Sequence, residues 1–281
     1  MRPNNPVSLN SSKIRPFLKW PGGKFRIIDK ILSFLPPGKK LIEPFVGSGA
    51  VFLNTNYDYY LLNDINPDLI NLYTFLQVEG QEFIDFCKPY FNPKLNFAYK
   101  YYELRQVFNE CKDLHERAAI FLYLNRHGYN GLCRYNKKLG YFNVPFGRYV
   151  QPYFPEKEMQ AFFIKAKRAK FVCEDFSKTL QRARKGQVVY CDPPYVPLNK
   201  TSNFTQYQKT GFTVEQQIQL ADMATELMQR DIAVVLSNHH TPFTKKIYNK
   251  ADLHKFLVRR FISCNAQKRV EAMELLAIFE P

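Results

Sequence analysis

The sequence predicts an α/β fold on a mainly parallel sheet, with a mainly helical block inserted into it. Three observations carry this reading. Short β-type runs alternate with helical patterns along both ends of the chain. Several of those runs are continuously apolar, as strands covered on both faces must be. Between about residues 67 and 155 the alternation stops and helical segments follow one another.

In chain order, strands are expected at residues 41–45, 59–64, 171–174, 188–192, 233–237, 256–262 and 274–279. A short helix is expected from Ala50 to Asn54. The inserted block reads as helices at 67–77, 81–90, 98–111 and 116–124, then a Gly/Asn/Tyr-rich stretch resembling a loop plus hairpin. Residues 214–229 place Leu220, Met223, Ala224, Leu227 and Met228 on one side of an amphipathic helix. The expected organisation is one domain formed by 1–66 and 156–281, with a second formed by 67–155.

With 46% hydrophobic and 23% charged residues, the 281-residue chain has material for a sizeable core, which excludes disorder. Its net charge of +15 suits a polyanionic partner. The membrane alternative is weak. The longest apolar run, near 118–124, falls far short of the ~20 residues a spanning helix needs. The polar first 15 residues hold no apolar signal core. Six scattered cysteines without a CxxC pair fit reduced thiols in a cytoplasmic protein. The charge is uneven: residues 117–150 hold Arg117, Arg126, Arg134, Lys137, Lys138 and Arg148 and no acid. These alternate with Tyr, Asn and Gly, a mixture suited to phosphates and base edges as well as to a solvated face.

Three motifs bear on chemistry. Leu41-Ile-Glu-Pro-Phe-Val-Gly-Ser-Gly49 is a strand followed by a turn with two glycines and a helix start. This is either a plain tight turn or a loop that lets backbone approach a ligand. The next strand ends at Asn63-Asp64, and an acid there is where α/β nucleotide folds hold ribose hydroxyls. No third glycine stands at GxGxxG spacing, which fits a nucleoside better than a pyrophosphate. Pro21-Gly-Gly-Lys24 mimics the tail of a P-loop, but Leu18 and Phe25 replace the required Gly and Ser/Thr, so an NTPase is not expected.

The third motif is Val188-Val-Tyr-Cys-Asp-Pro-Pro-Tyr195. The strand delivers Asp192 to the carboxyl edge of the sheet, and Pro193 and Pro194 remove backbone donors while leaving carbonyls to accept. A carboxylate and the Pro193 carbonyl make two acceptors for one NH₂ group. An exocyclic base amine is a poor nucleophile because its lone pair is delocalised. Two acceptors can hold its protons while the lone pair localises and attacks, and Tyr195 offers a stacking face.

Five stretches together resemble the Dam-type DNA adenine-N6 methyltransferases. They are Phe17-Leu-Lys-Trp-Pro-Gly-Gly-Lys24, the segment Glu43-Pro-Phe-Val-Gly-Ser-Gly49 through Asn54, Leu124-Asn-Arg-His-Gly-Tyr-Asn-Gly-Leu-Cys-Arg-Tyr-Asn136, Phe142-Asn-Val-Pro-Phe-Gly-Arg148 and Asp192-Pro-Pro-Tyr195. The resemblance covers about residues 17–279, and the motif order agrees. It implies a Rossmann-like S-adenosylmethionine-dependent methyltransferase sheet in 1–66 and 156–281, with a target-recognition domain in 67–155. It also implies adenine N6 in duplex DNA as acceptor, commonly within GATC, reached by base flipping and direct SN2 transfer.

The same resemblance assigns roles. Trp20, Lys24, Glu43, Phe45, Gly47, Gly49, Asp64 and Asp192 would hold the donor. Asp192, Pro193, Pro194 and Tyr195 would act at the reacting amine. Lys19, Asn125, Arg126, Tyr129, Asn130, Leu132, Arg134, Asn136, Pro145, Arg148 and Tyr149 would face DNA. Chemistry agrees for several: Arg can pair with guanine O6 and N7, Leu132 can pack on a thymine methyl, and Tyr129 can wedge between base pairs. Each also has a plainer alternative, a phosphate contact for Arg134 and internal packing for Leu132 and Tyr129.

Three departures matter. Gly140-Tyr141 stands where an acid often precedes the Phe142–Arg148 stretch, which would loosen discrimination at the first base. Pro21 replaces a small residue, and residues 1–14 match no family role. Ser237-Asn-His-His240 lacks the i, i+4 spacing of a zinc pair, so no metal is expected. A monomer at the nucleoid is the expected state. Methylation of cytosine N4 or of RNA, and a DNA-binding regulator without catalysis, remain as competing readings.

Overall fold

The computed structural model describes residues 13–136, 138–195, 212–259 and 271–281. Seven strands form one sheet: β1 (Lys40–Glu43), β2 (Tyr59–Asn63), β3 (Ala169–Val172), β4 (Val188–Cys191), β5 (Ala233–His239), β6 (Asp252–Arg259) and β7 (Glu271–Phe279). Their spatial order is β3-β2-β1-β4-β5-β7-β6. The pairs among β1 to β5 are parallel, and β7 runs antiparallel to both β5 and β6. The α/β class with a mainly parallel sheet is as the sequence predicts.

Alternation along the strands explains their burial on both faces. Leu41, Tyr60, Leu62, Tyr190 and Val235 enter one apolar cluster, while Ile42, Leu61, Val189, Cys191 and Leu236 enter the other. The first cluster continues through Phe17, Tyr73 and Phe162 into Phe83, Phe108 and Phe121 of the helical block. Each such ring, fully buried, is worth roughly 1.5–3 kcal/mol.

The helices are α1 (Ile28–Leu32), α2 (Ala50–Asn54), α3 (Pro67–Glu79), α4 (Gln81–Cys87), α5 (Ala98–Glu110), α6 (Leu114–His127), α7 (Glu156–Ala166), α8 (Phe176–Gln181), α9 (Val214–Gln229) and α10 (Pro242–Ile247). Their starts are written in the sequence. Asn66 accepts from the Asp68 and Leu69 N–H groups with Pro67 at the first turn of α3, Asp113 caps α6, and Thr213 with Gln216 forms a reciprocal capping box on α9.

Several boundaries differ from expectation: β6 and β7 start four and three residues earlier than expected, and α1, α7, α8 and α10 were not expected. Helix α4 stops at Cys87 and gives way to a 3₁₀ turn, because Pro89 supplies no N–H to continue the ladder. Strand β3 lies two residues earlier than expected; it is a half-buried edge strand, so Lys170 and Ala169 are tolerated in it without an apolar signature. The expected strand end at 260–262, the first twelve residues, Lys137 and Cys264 lie outside the described residues. The five described cysteines are free thiols. No described helix is long and apolar enough to cross a membrane.

Candidate active site

Strand order reverses at β1, which has β2 on one side and β4 on the other. The carboxyl ends of these three parallel strands therefore open onto one crevice, the usual ligand position in such sheets. Glu43, Asp64 and Asp192 stand at or just beyond those three ends.

After β1 the chain turns through Gly47 and Gly49, both at positive φ (47° and 72°), and Gly49 leads directly into α2. The turn is tied to β2: Val46 N–H donates to the Asn63 carbonyl at 2.8 Å, and Gly47 N–H donates to Asp64 Oδ2 at 3.1 Å. Asp64 Oδ1 accepts from Asn66 N–H at 3.0 Å, and the Tyr73 hydroxyl donates to the Gly47 carbonyl at 2.6 Å. A Cβ on Gly47 would come 2.9 Å from Trp20 Nε1, so the glycine lets the indole close over the turn. Trp20, Gly47, Gly49 and Asp64 are thus brought together. Phe45 lies on the opposite side, stacked on Phe176 and edge-on to Phe212 at 5.5 and 5.4 Å.

Glu43 is 2% exposed, and its Oε1 has no hydrogen-bond partner among the described residues. Burial, and then the nearby Asp192 charge, push its carboxyl well above the usual range. A buried carboxylate with one unpartnered oxygen beside the glycine turn, with Asp64 across it, fits a ligand carrying a cationic or N–H group and a hydroxylated sugar.

At β4, Asp192 Oδ1 pairs with Lys24 Nζ at 2.9 Å; the two side chains are 21% and 6% exposed. Lys24 also donates to the Gly22 carbonyl at 2.7 Å and lies 4.6 Å from the centre of the Tyr195 ring. Burial raises the Asp192 pKa, Lys24 lowers it, the Glu274 charge raises it, and a hydrogen bond from Tyr195 lowers it. The Pro194 carbonyl accepts from Gln217 Nε2 at 2.8 Å, which fixes the turn. The buried Pro193 has no carbonyl partner among the described residues.

The expected DNA-facing residues divide into two groups. Around Lys19, Asn125 is 2% exposed and spends its amide on the Lys19 backbone, accepting from N–H at 2.9 Å and donating to C=O at 2.7 Å. Asn125 thus shapes this surface from beneath and presents no group outward. Lys19 Nζ donates to the Arg126 carbonyl at 2.9 Å and lies 3.6 Å from the centre of the Tyr149 ring. Desolvation, then Arg126, lowers its pKa to about 8. The Tyr149 hydroxyl accepts from Asn130 N–H at 2.9 Å, and Arg126 reaches the Tyr153 and Phe17 carbonyls.

In the hairpin, bridges pair Gly128 with Phe146 and Tyr135 with Phe142. Arg134 is held by Asn143 Oδ1 at 2.7 Å, and Asn136 caps the tip by accepting from Lys138 N–H at 2.8 Å. Tyr129 N–H donates to the Pro145 carbonyl at 2.9 Å. Leu132 packs against the core with part of its surface open, and Arg148 is exposed with φ of 55°. Tyr135 and Arg117 both bond Asp68, at 2.6 Å each for the closest contacts, which anchors the hairpin on the first turn of α3.

Sequence reasoning missed Glu274, His239, Asn63 and Tyr73. A carboxylate leading the apolar run 274–279 was the one available signal for Glu274. His239 was weighed only for metal or general-base chemistry. Among the described residues no cluster of three metal-ligating side chains occurs.

The family model for the D12 class N6 adenine-specific DNA methyltransferase matches residues 20–261, which include Trp20, Lys24, the Gly47–Gly49 turn, Asp64, the hairpin and Asp192–Tyr195. The chain belongs to that family. Proteins named DNA adenine methylase are similar along nearly its whole length. The one from Escherichia coli (strain K12) is 51% identical over 269 residues, covering 96% of each chain. The one from Vibrio cholerae serotype O1 is 49% identical over 270 residues, covering 96% of this chain and 97% of the relative. The one from Haemophilus influenzae is 50% identical over 282 residues, covering 99% and 98%. This D12-class chain is therefore an adenine-specific DNA methyltransferase, and its mixed seven-stranded sheet is the methyltransferase fold.

Proposed function

We propose that this methyltransferase transfers a methyl group from S-adenosylmethionine to N6 of adenine in duplex DNA, within GATC, after flipping the base from the stack. The observation that carries the reading is the convergence of Asp192, Lys24 and Tyr195 at the carboxyl end of β4. An anionic acceptor beside an aromatic face suits an amine that becomes positively charged as it is methylated. The names of the relatives support adenine as acceptor.

S-adenosylmethionine supplies an electrophilic methyl group on a sulfonium. Trp20, Gly47, Asp64 and Glu43 would hold it, with Asp64 toward the ribose and the unpartnered Glu43 Oε1 toward a cationic or N–H group. Asp192 and the Pro193 carbonyl would accept hydrogen bonds from the two N6 protons, so the lone pair would leave conjugation and be free to form the new C–N bond as the sulfonium C–S bond breaks. The surplus proton then passes from N6 to solvent, with no permanent base required. Tyr195 stacks on the extruded adenine. The 67–155 block serves as the target-recognition domain, with the hairpin in the major groove and Lys19 and Tyr149 at the outer base pair. The monomeric enzyme works in the cytoplasm at the nucleoid.

The test is transfer of labelled methyl to two short duplexes, one with a single GATC and one with GTTC. Label recovered as N6-methyladenine from the GATC duplex alone supports the reading. Equal label on both, or label recovered on cytosine or only on RNA, overturns it.

A further inference from the structure

Tyr195 is gripped from two strands that lie beyond its own. Its hydroxyl donates to Glu274 Oε2 on β7 at 3.2 Å, and its ring meets His239 on β5 in a T-shaped contact at 4.7 Å. His239 and Glu274 are direct cross-strand partners in the β5–β7 ladder, 5% and 6% exposed. The charges of both Asp192 and Glu274 act on this hydroxyl, which therefore lies close to two carboxylates. A carboxylate leading an apolar strand would be costly to bury without a donor, and the Tyr195 hydroxyl is one.

We infer that Glu274 is a positioning residue for Tyr195: its carboxylate, with His239 across the ladder, fixes the ring plane on which the target adenine stacks. A tyrosine on a proline turn has two free torsions, and a stacking platform works only if its plane is set before the base arrives. The Glu274 contact fixes the far end of the ring, and His239 blocks rotation from the side. Glu274 acts in this scheme through Tyr195 and is given no contact of its own with donor or base. This rests on the reading that Tyr195 stacks on the flipped adenine.

The test is a double-mutant cycle on the full-length enzyme with a GATC duplex, read by single-turnover methyl transfer and by fluorescence of 2-aminopurine at the target position. Tyr195→Phe and Glu274→Ala should each slow transfer by about tenfold, with DNA dissociation constants within about threefold of wild type. In the Tyr195→Phe background Glu274→Ala should cost less than about twofold more, because its effect passes through the missing hydroxyl. Glu274→Gln, which still accepts a hydrogen bond, should recover most of the rate and guards against a folding defect. Equal, multiplicative losses in both backgrounds would overturn the inference. So would an unchanged rate in Glu274→Ala, or an acid limb that moves in Glu274→Gln with the rate otherwise lost, which would mean direct action on Asp192. Tyr195→Ala is the separate control: a wild-type rate there would sink the stacking reading itself, whatever Glu274 does.

Discussion

Lys24 Nζ stands 2.9 Å from Asp192 Oδ1 and 4.6 Å from the centre of the Tyr195 ring, so one ammonium bridges the two groups that serve the target amine. It occupies the kind of place a cationic reaction centre would favour. Its charge opposes the burial that raises the Asp192 pKa. Replacing Lys24 with Met should therefore raise that pKa further and move the acid limb of kcat to higher pH. Asp192 is needed ionised, so activity is lost as pH falls through its folded pKa, and the variant should lose it sooner. A pH profile of kcat at saturating donor checks this; an unmoved limb would separate Lys24 from the Asp192 charge.

Glu43 offers a stability test with a defined sign. Its folded pKa lies well above the ordinary value of 4.5, so its ionised form is disfavoured by folding. Glu43→Gln should stabilise the ligand-free protein at neutral pH by about 1–3 kcal/mol, while weakening donor binding. The gain should be greatest above the folded pKa and disappear below about 4.5. Thermal melts of both proteins across pH, with calorimetry of donor binding, read both effects.

Lys19 should make DNA binding pH-dependent near its pKa of about 8. Below that value the free protein already carries the charge. Above it, binding to the polyanion must take up a proton, so affinity falls by up to ~10-fold per pH unit. Lys19→Met should bind more weakly at pH 7 and show a flatter profile to pH 9. Fluorescence anisotropy at constant ionic strength makes the comparison.

Arg134→Ala should relax discrimination at one guanine by ~1–3 kcal/mol. Because Asn143 Oδ1 holds the guanidinium at 2.7 Å, Asn143→Ala should reproduce part of that loss. Competition among duplexes altered at single positions decides it; uniform weakening across all of them would make Arg134 a phosphate contact.

Most of the frame was legible because its signals are local. Short β-type runs marked all seven strands, and helical spacing marked α3, α5, α6 and α9. Asp64 and Asp192 were visible because strand ends in parallel sheets point to one edge. What was hidden depends on distant pairing. Glu274 meets Tyr195 across 79 positions, and Asn125 turns inward because Lys19, 106 positions away, uses its amide. Nor could spacing tell that Phe45 faces Phe176 across the sheet from the Trp20 side.

The central claim is that Asp192 acts on the target amine and not in holding DNA. The most direct measurement is single-turnover methyl transfer by Asp192→Ala, alongside its affinity for a GATC duplex. The account predicts a loss of transfer of about 10²–10³-fold or more, with DNA affinity within about threefold of wild type. Transfer at the wild-type rate, or loss of DNA binding in proportion to loss of transfer, would contradict it.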